Sequence, residues 1–171
     1  MSNWGWGGYQ VTFQDHTGRW WVPTGEGLFR FAPVSRTSAL GRVHPEMVLD
    51  KRHGLVNNDV FRLFEDSHGD IWISTGGDEV ALWRRADGRL LHYPRKDFLA
   101  TAFLEDRAGS IWMGSSSGAL SRVRDGRSES IELPRSIGWI HSLFWTARDV
   151  SGPEEPEAYC GSIRRGTACL E

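Results

Sequence analysis

Apolar and polar positions interleave in short runs along most of the chain. From Asp59 to Glu65, β-branched and aromatic residues are interleaved with polar ones, and Asp70 to Thr75 does so again. That two-residue rhythm predicts strands, because alternate side chains of an extended chain leave by opposite faces. Between the two runs stands Asp66-Ser67-His68-Gly69. Its carboxylate can accept from backbone N–H groups two or three residues on, and its glycine supplies a positive φ. Gly76-Gly77-Asp78 turns the chain into a third strand, Val80 to Arg85, and Ala86-Asp87-Gly88 into a fourth, Leu90 to Tyr93. The stretch therefore reads as a four-stranded antiparallel meander.

The same unit recurs. Phe13-Gln14-Asp15-His16-Thr17-Gly18-Arg19-Trp20-Trp21, Phe64-Glu65-Asp66-Ser67-His68-Gly69-Asp70-Ile71-Trp72 and Leu104-Glu105-Asp106-Arg107-Ala108-Gly109-Ser110-Ile111-Trp112 share one pattern. A weaker copy follows: Asp149 and Gly152 repeat the turn, and Tyr159-Cys160-Gly161-Ser162 stands where Trp112-Met113-Gly114-Ser115 stood. Repeats of roughly 40–50 residues without a long helix predict β-propeller blades. The expected fold is all-β: one partial propeller domain over 1–171, with blades near 8–50, 59–94, 99–133 and 138–171. Three are regular and the last degenerate. Trp21, Trp72 and Trp112 are expected between adjacent blades. The last blade stops short of its fourth strand, and glycines 5, 7 and 8 are poor strand material. A piece of a larger ring is the expectation.

Composition narrows the partners. Nine tryptophans and twenty glycines among 171 residues suit a sheet protein with many tight turns, and a net charge of −2 gives no electrostatic case for nucleic acid. No stretch of about 18 apolar residues predicts a membrane span. The first residues lack a basic segment followed by an apolar one, so no secretory signal is expected.

Candidate chemistry is sparse. The aspartates of the repeat are read as turn caps, since blades hold such turns too far apart to share one ion and no calcium-loop spacing is present. Gly114-Ser115-Ser116-Ser117-Gly118 matches a nucleophile pattern, but that pattern works where a strand turns into a helix, and here it joins two strands. No histidine has a motif-spaced partner, and Cys160 with Cys169 lacks further zinc ligands. No metal, cofactor or catalytic residue is assigned. If Arg164-Arg165 forms a two-residue hairpin loop, Cys160 and Cys169 lie opposite each other and can form a disulfide. If Gly166 forms a bulge, they face opposite sides. Ligand recognition is expected on the rim opposite the aspartate turns, in Arg52, His53, Asn57, Asn58, Asp59, Asp78, Lys96, Ser116, Arg135 and Arg164, because variable loops on a rigid scaffold usually carry binding.

Gly54-Leu55-Val56-Asn57-Asn58-Asp59-Val60, followed by Glu65-Asp66, Gly69 and Ile71-Trp72-Ile73-Ser74-Thr75, resembles the two-component regulator propeller repeat. Glu105-Asp106, Gly109 and Ile111 to Ser115 return to it. The long insert from Pro33 to His44, Pro23 and the degenerate fourth copy depart from the pattern. The resemblance implies the extracytoplasmic sensor part of a bacterial sensor histidine kinase or hybrid two-component system. It also implies a small-molecule, often glycan-derived ligand, a periplasmic location as part of a parent chain, and no catalysis by this segment. Two other classes remain open: a propeller lyase or hydrolase acting on glycans or a small lactone, and a stand-alone protein-interaction propeller.

Overall fold

The computed structural model describes residues 11–76, 79–133, 138–145 and 158–161. Every strand among them lies in an antiparallel sheet joined in chain order. The chain divides into two compact units, Met1–Lys96 and Asp97–Glu171.

The first unit holds two meanders. One comprises β1 (Phe13–Gln14), β2 (Trp20–Thr24), β3 (Gly27–Phe31) and β4 (Met47–Leu49); the other comprises β5 (Val60–Glu65), β6 (Ile71–Thr75), β7 (Glu79–Trp83) and β8 (Leu90–Pro94). The second unit holds a third meander, β9 (Ala100–Glu105), β10 (Ile111–Ser115), β11 (Leu120–Arg124) and β12 (Arg127–Ile131), and a pair, β13 (Ser142–Trp145) with β14 (Ala158–Gly161).

Local chemistry explains the departures from the sequence pattern. β7 ends at Trp83 rather than Arg85 because Arg84 closes the hairpin on the Arg89 carbonyl at 2.8 Å, which leaves Arg85 in the turn with its N–H given to the Asp70 carboxylate at 2.7 Å. Pro23 sits in an inner strand, where a missing N–H would normally break pairing. It is tolerated because, among the described residues, β1 pairs with Trp20 and Trp21 and not with Pro23. The insert after Pro33 forms a 3-10 turn, Thr37–Arg42, and the first sheet still gains its fourth strand. Bulges shift the register between Val60 and Arg62 and between Gly114 and Ser115, on equivalent strand pairs of the second and third sheets.

Registry decides which faces meet. In the first unit Trp21, Leu28 and Leu49 pack with Ile71, Ile73, Ala81 and Trp83 in one buried cluster. The Trp21 and Trp83 rings are 5.1 Å apart. The Arg30 guanidinium lies 5.7 Å from the Trp21 centroid and 5.4 Å from that of Trp83, a cation–π contact with both. In the second unit Trp112 packs with Ala102, Leu120, Ile140 and Leu143, and Arg122 covers its ring at 5.1 Å. Gly114 is required there, because a Cβ would come within 2.3 Å of Ile140 Cγ2.

One device recurs at the aspartate turns. Asp15 Oδ1 accepts the N–H groups of Thr17 and Arg19 at 2.9 and 3.0 Å, and its Oδ2 accepts the Trp21 indole N–H at 2.9 Å. Asp66 does the same with His68, Asp70 and Trp72, and Asp106 with Ala108, Ser110 and Trp112, each indole bond again being 2.9 Å. The glycines close these turns at φ of 82°, 78° and 77°. Burial pushes the Asp15 and Asp106 carboxyls up. The hydrogen bonds, from Thr17, Trp21 and Arg85 on Asp15 and from Trp112 and Ser110 on Asp106, more than offset it and hold both below the usual carboxylate range.

Two outcomes follow from this packing. Trp21→Ala is expected to cost about 3–5 kcal/mol in urea unfolding, since its side chain is fully enclosed; a loss under about 1 kcal/mol would show that the indole contributes little. The depressed carboxyls also fix a sign. Their stabilisation is complete above the unfolded value near 3.8 and is lost as pH falls through the lower folded values. Unfolding free energy should therefore stay level above about pH 5 and fall steeply below about pH 4, and Asp106→Asn should flatten that fall.

Candidate functional site

In a meander, turns after the first and third strands lie at one end of a sheet. The turn after the second strand and the link to the next sheet lie at the other. The aspartate turns occupy the first end. Among the candidate binding residues, those described stand on loops of the second end.

Asp50 organises the link between β4 and β5. Its side chain is only 5% exposed and caps the short 3-10 turn Lys51–His53. Oδ1 accepts the Arg52 N–H at 2.8 Å, the His53 N–H at 3.1 Å and His53 Nδ1 at 2.7 Å. Oδ2 accepts Arg52 Nε at 3.0 Å and Nη2 at 2.8 Å. The Arg52 fork, outweighing the effect of burial and joined by His53, lowers the Asp50 carboxyl to about 2. Gly54 then turns the chain at φ 104° so that Leu55 can enter the core and return its N–H to the Asp50 carbonyl at 3.0 Å.

The neighbouring candidates serve the loop itself. Asn58 Oδ1 accepts the Lys51 N–H at 2.7 Å, Asn57 Nδ2 donates to the Gly76 carbonyl at 3.0 Å, and Asn57 Oδ1 accepts the Asp59 N–H at 3.1 Å. The Asp59 carbonyl accepts from Gly76 at 2.7 Å. These bonds tie the link to the β6–β7 turn and leave Arg52 and His53 as the outward-facing donors of that segment. Lys96 is exposed at the end of the first unit.

In the second unit the Ser115–Ser117 loop joins β10 to β11, strand to strand. Ser116 gives its N–H to the Leu99 carbonyl at 3.1 Å. Ser115 Oγ lies 2.8 Å from Ser117 Oγ and accepts the Ala119 N–H at 2.9 Å, so these hydroxyls shape the loop. Asp78, Arg135, Arg164, Asp149, Gly152 and Cys169 lie outside the described residues. Cys160 is described in its backbone, where it pairs with Leu143 on β13.

A second polar cluster, at the aspartate-turn end of the first unit, escaped the sequence reading. Arg85 Nη2 bridges Asp15 Oδ2 at 2.9 Å and Glu65 Oε1 at 3.0 Å, while its Nε donates to the Gly69 carbonyl at 2.6 Å. His16 gives its N–H to Glu65 Oε2 at 3.0 Å and holds Oε1 through Nδ1 at 2.6 Å. Gly69 has no room for a side chain, since a Cβ would meet the His16 ring at 2.6 Å. The cluster clamps the first two sheets together. Arg85 follows a strand as one charged residue among many, and nothing local marked it.

Known proteins give the fold a context. Residues 54–77 match the family model described as the two component regulator propeller. No curated protein matches the chain in sequence. Among solved structures, it resembles the extracellular domain of BT4673 from B. thetaiotaomicron, described in one structure as a one component system. That match has 16% identity and a TM-score of 0.64 over 90% of this chain and 20% of the other. A second structure of that extracellular domain, described as a hybrid two component system, matches at 13% identity and a TM-score of 0.56 over 88% and 25%. A streptogramin B lyase matches at 18% identity and a TM-score of 0.55 over 79% and 47%. The chain thus spans less than half the length of each of these structures. At such identities the likeness speaks for the fold alone. Residues 54–77 thus resemble a two-component regulator propeller repeat, and the all-β meanders have the fold of β-propeller blades.

Proposed function

We propose that this chain is the ligand-sensing segment of a bacterial two-component signalling protein, located outside the cytoplasm, and that it binds without converting its ligand. The observation that supports this most is the regulator-propeller match at residues 54–77, which covers the link carrying Asn57, Asn58 and Asp59. The similarity of 90% of the chain to an extracellular sensor domain agrees with it. In this reading the whole chain is one partial propeller domain. Its rim loops, including Arg52, His53, Lys96, Ser116, Asp78, Arg135 and Arg164, meet a small molecule. Its stacked sheets pass the effect of binding to the rest of a larger ring.

The lyase similarity favours a second reading, an enzyme on the same scaffold. Fold alone does not carry chemistry, which needs a nucleophile, acid or base at a defined place. The described rim offers Arg52 and His53 already bonded to a carboxylate, and serines bonded to one another.

The readings separate in one experiment. The purified chain is incubated with a panel of saccharides and small lactones and followed by ligand-observed NMR. Sensing predicts broadened ligand signals from at least one compound, recovered unchanged after prolonged incubation. Turnover of any panel member in proportion to protein would overturn the non-catalytic reading.

A further inference from the structure

The Asp50 turn holds a guanidinium and an imidazole side by side at the surface through one buried carboxylate, and we propose that Arg52 and His53 form a receptor for a small oxyanion, a carboxylate or sulfate group carried by the ligand. This rests on reading that rim as the recognition face, and it names the chemistry the rim would select.

An exposed arginine normally samples many rotamers, and fixing it costs entropy when a ligand binds. Here the cost is met on folding. Asp50 is 5% exposed and holds the guanidinium by two bonds and the imidazole by one, while Arg52 is 84% and His53 51% exposed. The start of β3 packs against the base of Asp50: a Cβ at Gly27 would meet the Leu49 carbonyl at 2.6 Å and Asp50 Cβ at 3.2 Å. The Asp50 carbonyl is occupied as well, by the His53 and Leu55 N–H groups at 3.0 Å each. The anchor is packed and well bonded, so the side chains it holds are pre-set.

Next comes what is left over. Arg52 bonds Asp50 through Nε and Nη2, which leaves the Nη1–Nη2 edge as a planar donor pair. That edge matches the spacing of two oxygens on a carboxylate or sulfate. His53 spends Nδ1 on Asp50 and offers Nε2–H when the ring carries both protons. The exposed Lys51 adds a further basic side chain on the same turn. The backbone N–H groups of Arg52 and His53 are already taken by Asp50, so recognition falls to the side chains.

A comparison within the chain sharpens the point. Arg84 grips Asp87 with the same two nitrogens, but that carboxylate is 36% exposed and holds no second cation. It is an ordinary surface pair. The Asp50 turn differs in having a buried anchor that holds both an outward guanidinium and an outward imidazole.

The test is a titration of the full chain at pH 6 and constant ionic strength, following Arg52 Nε–Hε and the His53 ring by NMR. Sodium sulfate and sodium acetate are the probes, with sodium chloride as reference. The expected result is a saturating shift at both residues, with a dissociation constant on the order of 1–10 mM for at least one oxyanion and only slight drift with chloride. Sulfate against acetate tells which group the receptor prefers. Arg52→Gln should weaken the plateau at least ten-fold with a melting temperature within a few degrees of the parent. Arg52→Lys, which keeps the charge and loses the fork, should weaken it several-fold, and Arg84→Gln should leave it unchanged. Equal linear drift with all three salts would overturn the receptor. So would a plateau at Ser116 or Asn57 that Arg52→Gln does not affect, although that outcome would leave the rim reading standing. A rim that binds nothing in the saccharide and lactone panel would count against the sensing reading and not against a plateau at Arg52.

Discussion

One carboxylate per repeat holds together two parts of the blade that sequence distance separates. Its first oxygen closes the tight turn by taking backbone N–H groups, and its second takes the indole N–H six residues on. An indole packed between sheets must bring its N–H out of water, and leaving it unpaired there costs about 1–3 kcal/mol. The aspartate removes that cost and, in the same stroke, fixes the ring's angle. With the ring fixed, the face it presents is fixed too. Trp21 then meets Trp83 with Arg30 over both, and Trp112 meets Leu143 and Ile140 with Arg122 over its ring. The glycine is the third member, because only a residue at ease with positive φ lets the turn close beneath the carboxylate.

The same logic reappears, with different partners, at the opposite end of the first unit. Asp50 also splits its oxygens between backbone and side chains, but its side-chain partners are Arg52 and His53, which point outward, rather than an indole, which points inward. A buried carboxylate therefore serves packing at one end of the sheets and holds outward-facing side chains at the other. In the proposed reading, that second end is the recognition rim.

Much of the fold was legible because strands and turns announce themselves locally. Alternation, turn residues and the repeated motif place the strands to within one or two residues, as at β5 and β8. What was hidden depended on contacts across the sequence. Arg85 lies in the β7–β8 turn, where Asp70, fifteen residues away, takes its N–H. Among the described residues Pro23 faces no partner on β1. The Asp–indole bond was a different kind of omission, since its signal was present: aspartate and tryptophan keep one spacing in all three repeats, yet the residues were read separately, as turn cap and core. At the rim, polarity alone could not distinguish Asn57 and Asn58, which bind their own backbone, from Arg52, which an adjacent carboxylate holds outward.

The most direct measurement is a double-mutant cycle on the second repeat, using Asp66→Asn and Trp72→Phe with urea unfolding of all four proteins. Asparagine can still cap the turn through its oxygen but sets an N–H against the indole N–H, and phenylalanine keeps a ring without a donor. If the shared carboxylate is the organising contact, the two changes are strongly coupled, by about 1–2 kcal/mol. Costs that add within about 0.5 kcal/mol would mean that turn and indole are stabilised independently, and the account would fail at its centre.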